Sequence, residues 1–548
     1  MSGIVIHIRD KHRWVLTPDG FAQGFLFMDD ELLGPEQIAK SIAERGSLDQ
    51  VCEFARAANG FFATIRTGTD SLIAVVDRIR SIPLFYGVLQ GTLFLSDDAH
   101  WVREQVGDHE FDDIATAEFQ LLGYVTGADT LSPRVKQLQA GEALEVQHLA
   151  SGSPEIKTRR YYQFVHRAES SLADEDLLSE LDQVMTCIFQ RLIERAAGRT
   201  IVIPLSGGLD SRLMVCMLKR FGYENVVTFS YGRSGNAESE CSREIARQLG
   251  FRWEFVPYSH DAWRAWFRTE ECELYRRSAG GLVAIAHVQD WPAVWELKKK
   301  RLIPEDSLFV PGHSADLLAG SRSGAFPRLY EVDPIPTSVL LNAVWRYHYS
   351  LLPSHAEDCQ VKVLRDRLAS TLKGFNALGG TQDGANFFEY FDWQERQAKF
   401  IVNSVRVYEF WGYDWWLPFW DAAFMEFWSR VPLSLRINKS LYDSYVMRQQ
   451  ESVGLQLGSA YTGVTPHWTT ALRSLLKCVG MYPFVQTIRR FQRRATEYDG
   501  HPLCWHGMMD RKLFNQYFTG RESINSFLAL ERLGKIRFDD EPRGHSSL

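Results

Sequence analysis

A chain of 548 residues, 45% of them apolar, is long enough to bury more than one core, which points to roughly two to four domains. Its formal charge of −7 and pI near 6.1 exclude the overall basic field that draws a protein to nucleic acid or acidic lipid, so a small molecule is the expected partner. The 8 cysteines form no Cys-x-x-Cys pair, which argues against a zinc or disulfide framework and for thiols kept in a reducing compartment. The start "MSGIVIHIRD" is charged and lacks an apolar signal core, and no stretch reaches the roughly 20 apolar residues of a membrane span, so a cytoplasmic protein is expected.

From residue 1 to about 165 the pattern is short and alternating, as in "GFFATIRTGTDSLIAVVDR" and "IPLFYGVLQGTLFLSDD". That predicts antiparallel hairpins in a β-rich first domain, with "ATAEFQLLGY" as one short helix. "HRAESSLADED", residues 166–176, is polar and turn-rich and marks the boundary to a second domain, 176–548. This opens on an amphipathic helix with Leu177, Leu181, Val184, Ile188 and Leu192 on one face. Strand and helix then alternate: "TIVIPL", the loop "SGGLDS", a helix "SRLMVCMLKRF", a strand "NVVTFSYG", a helix "AESECSREIARQLG" and a strand "FRWEFVPY". Continuous apolar strands between amphipathic helices predict a parallel sheet covered on both faces. A fourth strand at residues 307–312 ends in "GHSADLLAG"; the rest is helical and aromatic, and its share of the 16 tryptophans and 34 phenylalanines reads as core. The fold expected is therefore α/β with two domains.

The loop after the first parallel strand holds the chemistry. Gly207 and Gly208 let backbone N–H groups approach an anion, Ser206 and Ser211 add hydroxyls, and the following helix lends its positive end. Asp210 is out of place beside a polyphosphate unless a cation lies between them, which points to a metal-bound polyphosphate with Mg2+ as the ion. The lysine and spacing of a Walker loop are absent. A plain strand-to-helix turn capped by Asp210 or Ser211 is the alternative; the second acidic turn after a later strand favours nucleotide binding.

This loop resembles the pyrophosphate-binding loop of the adenine-nucleotide α-hydrolase-like ATP pyrophosphatases, which include asparagine synthetase, GMP synthetase, NAD synthetase and tRNA-thiolating enzymes. "GFFATIRTGTDSLIAVVDRIRSIPLFY", "LLGYVTGADTLSPRVKQLQAGEAL" and "WWLPFWDAAFMEFWSRVPLSLRI" are similar to stretches of glutamine-hydrolysing asparagine synthetase. The resemblance implies an amino-terminal-nucleophile (Ntn) amidotransferase-like domain at 1–165 and a synthetase domain at 176–548, acting as an ATP-dependent, AMP-forming ligase in a homodimer. It implies that Ser206, Gly207, Gly208, Asp210 and Ser211 hold ATP phosphates, that Leu205, Tyr231 and Gly312 frame the adenosine, that Asp210 and Asp316 bind Mg2+, and that Lys439 contacts the reacting phosphate. Lys439 as a solvated helix residue is the alternative.

Two departures matter. The family's second loop reads Gly-Glu-Gly-x-Asp-Glu where this chain has Gly312-His313-Ser314-Ala315-Asp316-Leu317. Aspartate as acceptor is thereby put in question, and His313 is either a general base or a loop histidine bonded to a carbonyl. The amino terminus reads Met1-Ser2-Gly3 where the family has a nucleophilic cysteine, and no glutamine-binding segment is found, so the first domain is expected to be degenerate. Nitrogen then comes as free ammonia, from a partner glutaminase or as another amine. The favoured acceptor is a uronic acid of a surface polysaccharide precursor, from the resemblance of "VYEFWGYDWWLPFWD" to proteins encoded with such enzymes; aspartate and an intramolecular lactam are alternatives, as is a non-catalytic nucleotide-binding relative. Arg489, Arg490, Arg493 and Arg494 form either a solvated face or a weak peripheral patch for an anionic acceptor or membrane.

Overall fold

The computed structural model describes residues 3–18, 20–166, 171–321, 335–377, 384–437, 439–457 and 482–538. The first part is built on β2 (Trp14–Thr17), β3 (Gly20–Met28), β4 (Glu31–Leu33), β5 (Asn59–Thr67), β6 (Ser71–Val76), β10 (Glu142–Gln147) and β11 (Glu155–Arg160). Six of these strands lie in the order β11-β10-β6-β5-β3-β2, with β4 paired to β3. β1 (Ile4–His7), β7 (Phe85–Leu89), β8 (Thr92–Ser96) and β9 (Lys136–Gln137) make a second sheet in the order β1-β8-β7-β9.

Alternation along β6 shows how the layers form. Leu72, Ala74 and Val76 point toward Leu93, Leu95 and Leu138 of the second sheet's side, whereas Ile73 and Val75 point the other way, toward α1 (Pro35–Ala43) and α2 (Leu48–Ala57) through Ile38, Ile42, Val51 and Phe54. These two helices add to the short helix expected near residue 115, here α4 (Asp113–Leu122), which follows α3 (Ala99–Gln105). The pairing is antiparallel as expected except at β1, which runs parallel to β8 in the register Ile4↔Leu93.

The second part begins with α5 (Asp174–Ala196), whose first turn carries Asp174, Glu175 and Asp176 at the positive helix end. Its sheet holds β12 (Ile201–Pro204), β13 (Val226–Gly232), β14 (Arg252–Pro257), β15 (Leu308–Phe309) and β16 (Asp414–Trp415), all parallel, in the order β14-β13-β12-β15-β16. α6 (Leu209–Arg220) and α7 (Ala237–Leu249) are the crossovers. Ile201, Val202 and Ile203 of the central β12 are fully buried, as a strand covered on both faces requires. The molecule is thus α/β, with a β-rich first part and a parallel sheet in the second.

The chain steps outward from β12 to β13 and β14, then returns to the other side of β12 to place β15. The loops leaving β12 and β15 therefore diverge from neighbouring strands and leave a crevice between them, the position where open parallel sheets bind ligands. The two parts meet over aromatic packing: Trp416 stacks edge-on against Phe61 at 4.7 Å and against Phe27 at 6.1 Å. Asn59 locks the seam, donating to Asp421 at 3.0 Å and accepting from the Ala422 N–H at 2.8 Å. Among the described residues no helix is long and apolar enough to cross a membrane.

Candidate functional site

The loop after β12 is held by its own serines. The Ser206 N–H donates to Ser211 Oγ at 3.1 Å, the two hydroxyl oxygens lie 3.0 Å apart, and the Gly208 N–H donates to Ser206 Oγ at 3.1 Å. Arg212 closes the turn from below, donating to the Gly207 carbonyl at 2.8 Å. The Gly207 N–H faces the carboxylate of Glu238, which α7 brings in at its first turn, so an anion entering here shares or displaces that acceptor.

The second loop packs directly on the first. A Cβ on Gly312 would stand 2.9 Å from the Ser211 nitrogen and 3.0 Å from the Asp210 carbonyl carbon, so only glycine allows the two loops to approach this closely. The approach lets the Asp316 N–H donate to Asp210 Oδ2 at 3.2 Å, and Tyr442 donates to Oδ1 at 2.7 Å. Burial, followed by the charge of Asp316, pushes the Asp210 carboxyl up to about 7, against the pull of the Tyr442 and backbone hydrogen bonds and the Lys439 charge. Two carboxylates in this relation fit a divalent cation that keeps most of its ligands as water and phosphate oxygens. Among the described residues no third His, Cys, Asp or Glu completes a metal-ligating cluster with them.

Both loops open into a cavity of about 620 Å3, lined on one side by Ser206–Arg212, Gly312, Asp316 and Lys439. Lys439 sits at a left-handed turn, φ 56°, just before the helix Ser440–Ser452, with Nζ 3.6 Å from Asp443. Tyr231 lines the cavity too; its ring stacks on Tyr258 at 5.2 Å and its hydroxyl accepts from Gln289 at 3.0 Å. Leu205 differs from the others: its side chain is buried away from the cavity and its N–H continues the sheet by donating to the Phe229 carbonyl at 2.8 Å.

The rest of the lining brings in His313 of the second loop together with residues that no motif marked: His287, Asp290, Arg396, Gln397 and Tyr408. Asp290 accepts from the Tyr408 hydroxyl at 2.9 Å through Oδ2, while Oδ1 has no hydrogen-bond partner among the described residues and lies 3.9 Å from His287 Nε2. His313 Nε2 and Arg396 Nη1 are also buried without a partner. Burial, with a smaller push from His287, drives the His313 ring down to about 3, so it is neutral at working pH. Arg396 and Gln397 project from a π-helical stretch, Asp392–Ile401, a geometry that recurs at functional sites. Ser314, strained at φ 79°, donates to Gln397 at 3.0 Å and so ties the second loop to this helix. Elsewhere, Arg493 pairs with Glu497 at 2.9 Å and Arg489 and Arg494 are exposed. Ser2 lies outside the described residues.

Fold and site together define an α/β protein that presents a glycine- and serine-rich turn and an acidic second loop at the switch point of a parallel sheet. Residues 194–270, which span β12 to β14 and both crossover helices, match the family model described as asparagine synthase. Among curated proteins it is similar to the 7-cyano-7-deazaguanine synthase of Pseudomonas paraeruginosa, 48% identical over 50 residues, 9% of this chain and 22% of that protein; proteins of the same name in Pseudomonas aeruginosa match equally. The chain thus spans about a fifth of the length of the curated relatives it matches, 22%. Solved structures similar to it include an NH3-dependent NAD synthetase from Campylobacter jejuni in complex with nitrate ion, at 16% identity, 38% of this chain, 97% of that one and a TM-score of 0.20. A glutamine phosphoribosylpyrophosphate amidotransferase from B. subtilis with ADP and GMP is similar at 10% identity, 54% of this chain, 62% of that one and a TM-score of 0.19.

Proposed function

We propose that the protein is an ATP-dependent amide-forming ligase of asparagine synthase type, which activates a carboxylate as an acyl-adenylate with release of pyrophosphate. The observation that carries this reading is the half-buried pair Asp210 and Asp316 at the mouth of the serine-glycine loop, where a free anion is repelled and a metal-bound polyphosphate is welcome. Ser206, Ser211, the glycine amides and the start of α6 take the phosphates. Asp210 and Asp316 would hold Mg2+, which neutralises charge on the departing pyrophosphate when bound. Tyr231 and the backbone at Leu205 and Gly312 frame the adenosine, and Lys439 faces the phosphate charge that develops as the acceptor carboxylate attacks the α-phosphorus. Ammonia or another amine then displaces AMP from the acyl group. His313, neutral at working pH, accepts a hydrogen bond from the incoming amine rather than holding its proton.

The first part serves as a degenerate amidotransferase domain, and nitrogen arrives free or from a partner. A uronic acid is the favoured acceptor. The test is pyrophosphate release from Mg·ATP with aspartate, uronic acids and nucleotide-linked uronic acids, each with ammonium or glutamine. Release that depends on one carboxylate and falls at least about a hundredfold in Asp210→Ala supports the reading. Nucleotide binding without pyrophosphate release for any carboxylate reduces the protein to a nucleotide-binding relative.

A further inference from the structure

Arg396 belongs to two cavities. It lines the large cavity into which the phosphate loops open, and it also lines a second cavity of about 300 Å3 formed with Tyr124, His348, Ser350, Arg521 and Asn525. The lining of the second cavity includes two arginines and no carboxylate, although Asp and Glu outnumber Lys and Arg in the chain by 68 to 61. Among the described residues neither guanidinium forms an ion pair, and Arg396 Nη1 is buried without a hydrogen-bond acceptor. Leaving a buried charged donor unpaired is costly, so such a group calls for an anionic ligand rather than a structural role. The π-helical turn aims Arg396 here while Glu395 and Lys399, its neighbours on the same stretch, turn away to bind Gly127 in the first part.

We propose that Arg396 and the second cavity form the outer acceptor subsite, and that the acceptor carries a second anionic group, carboxylate or phosphate, held by Arg396 and Arg521 while its reactive carboxylate lies toward Asp210 and Lys439. This rests on the ligase reading for the direction of the substrate but not for the existence of the anion site. A planar guanidinium suits a bidentate carboxylate or phosphate, and the serine, asparagine and histidine side chains around it suit a hydroxyl-rich body. A uronic acid bearing a phosphate meets that description; a simple monocarboxylate does not.

The test is thermal protection of the full-length protein with Mg·ATP present, using glucuronic acid 1-phosphate and succinate as dianions, and glucuronic acid and propionate as monoanions. At least one dianion is expected to bind about tenfold or more tightly than its monoanionic counterpart, and the arm that responds tells phosphate from carboxylate. Arg396→Gln is expected to erase that difference, Arg396→Lys to restore part of it, and Arg521→Gln, at an exposed position, to weaken it without disturbing the core. Equal protection by mono- and dianions, no protection by either dianion, or a dianion affinity unchanged in Arg396→Gln overturns the inference. Mg·ATP binding is measured separately by calorimetry: its absence in the unsubstituted protein defeats the ligase reading, while dianion protection seen without nucleotide still upholds the anion site.

Discussion

The Lys399 ammonium donates to the Gly127 carbonyl at 2.7 Å and the Val125 carbonyl at 3.0 Å, with Glu395 at 2.5 Å, joining the π-helical stretch of the second part to a loop of the first inside a buried interface. Both side chains are almost wholly shielded, at 0% and 2% exposure. Burial alone pushes the Lys399 ammonium down, and the Glu395 charge holds it up. Removing one partner strands the other, so Lys399→Met is expected to cost about 3–5 kcal/mol of stability, and the double variant with Glu395→Gln distinctly less. Urea unfolding of the three proteins checks this; equal losses in single and double variants contradict it.

A second prediction concerns Asp210, whose half-buried carboxyl lies beside Asp316 and feels its charge. The arrangement suits a cation and burdens the protein that lacks one. Asp210→Asn relieves the repulsion and keeps a group that Tyr442 can reach, so the ligand-free protein is expected to gain on the order of 1–3 kcal/mol. The same change is expected to abolish the rise in melting temperature that Mg·ATP gives the unsubstituted protein. A variant that is destabilised without ligand, or still protected by Mg·ATP, removes Asp210 from the metal site.

How far the sequence speaks depends on how local each feature is. The loop at residues 204–213 declares itself because glycine, serine and aspartate act within a single turn, and β12 and β13 because near-continuous burial leaves largely apolar runs. β15 and β16 are two residues each and exist only because β12 lies beside the first and β15 beside the second, so no periodicity marks β16. α1 and α2 are short, and their buried faces include alanines, Ala39 and Ala55, that blur the helical pattern. The other lining of the cavity was silent for another reason: His287 and Asp290 share one short stretch but Arg396 and Tyr408 come from others, and an arginine on a π-helical turn has no spacing to betray it. Tyr442, which fixes Asp210, reads in sequence as one more aromatic core residue.

The contact between the two loops gives a third prediction. Gly312→Ala places a methyl 2.9 Å from the Ser211 nitrogen and 3.0 Å from the Asp210 carbonyl carbon, both backbone atoms that cannot swing aside. It is expected to cost about 1–3 kcal/mol and to weaken Mg·ATP binding about tenfold or more by prising Asp316 away from Asp210. Gly207→Ala is the comparison, because its methyl meets only ordinary contact with Cys241 at 3.6 Å. Calorimetric titration and thermal melts distinguish them; if Gly207→Ala proves the more destabilising, the packing of the second loop is not what holds the first.

The last prediction follows from the neutral histidines of the cavity. Burial holds the His313 ring at about 3, and His287 is lowered as well, with Asp290 opposing that shift. In the unfolded chain each ring takes a proton near pH 6.5, which the folded protein refuses. The sign is therefore fixed: their contribution to stability is complete above about pH 6.5 and is lost as pH falls toward the folded values. His313→Gln removes one of the two, so the fall in urea midpoint between pH 7 and pH 4.5 is expected to be shallower than in the unsubstituted protein, by up to one proton of linkage. A direct proton count on unfolding across that range reads the same quantity. An identical slope in the variant means that the ring is already charged or already exposed in the folded protein, and then His313 is free to exchange protons at neutral pH after all.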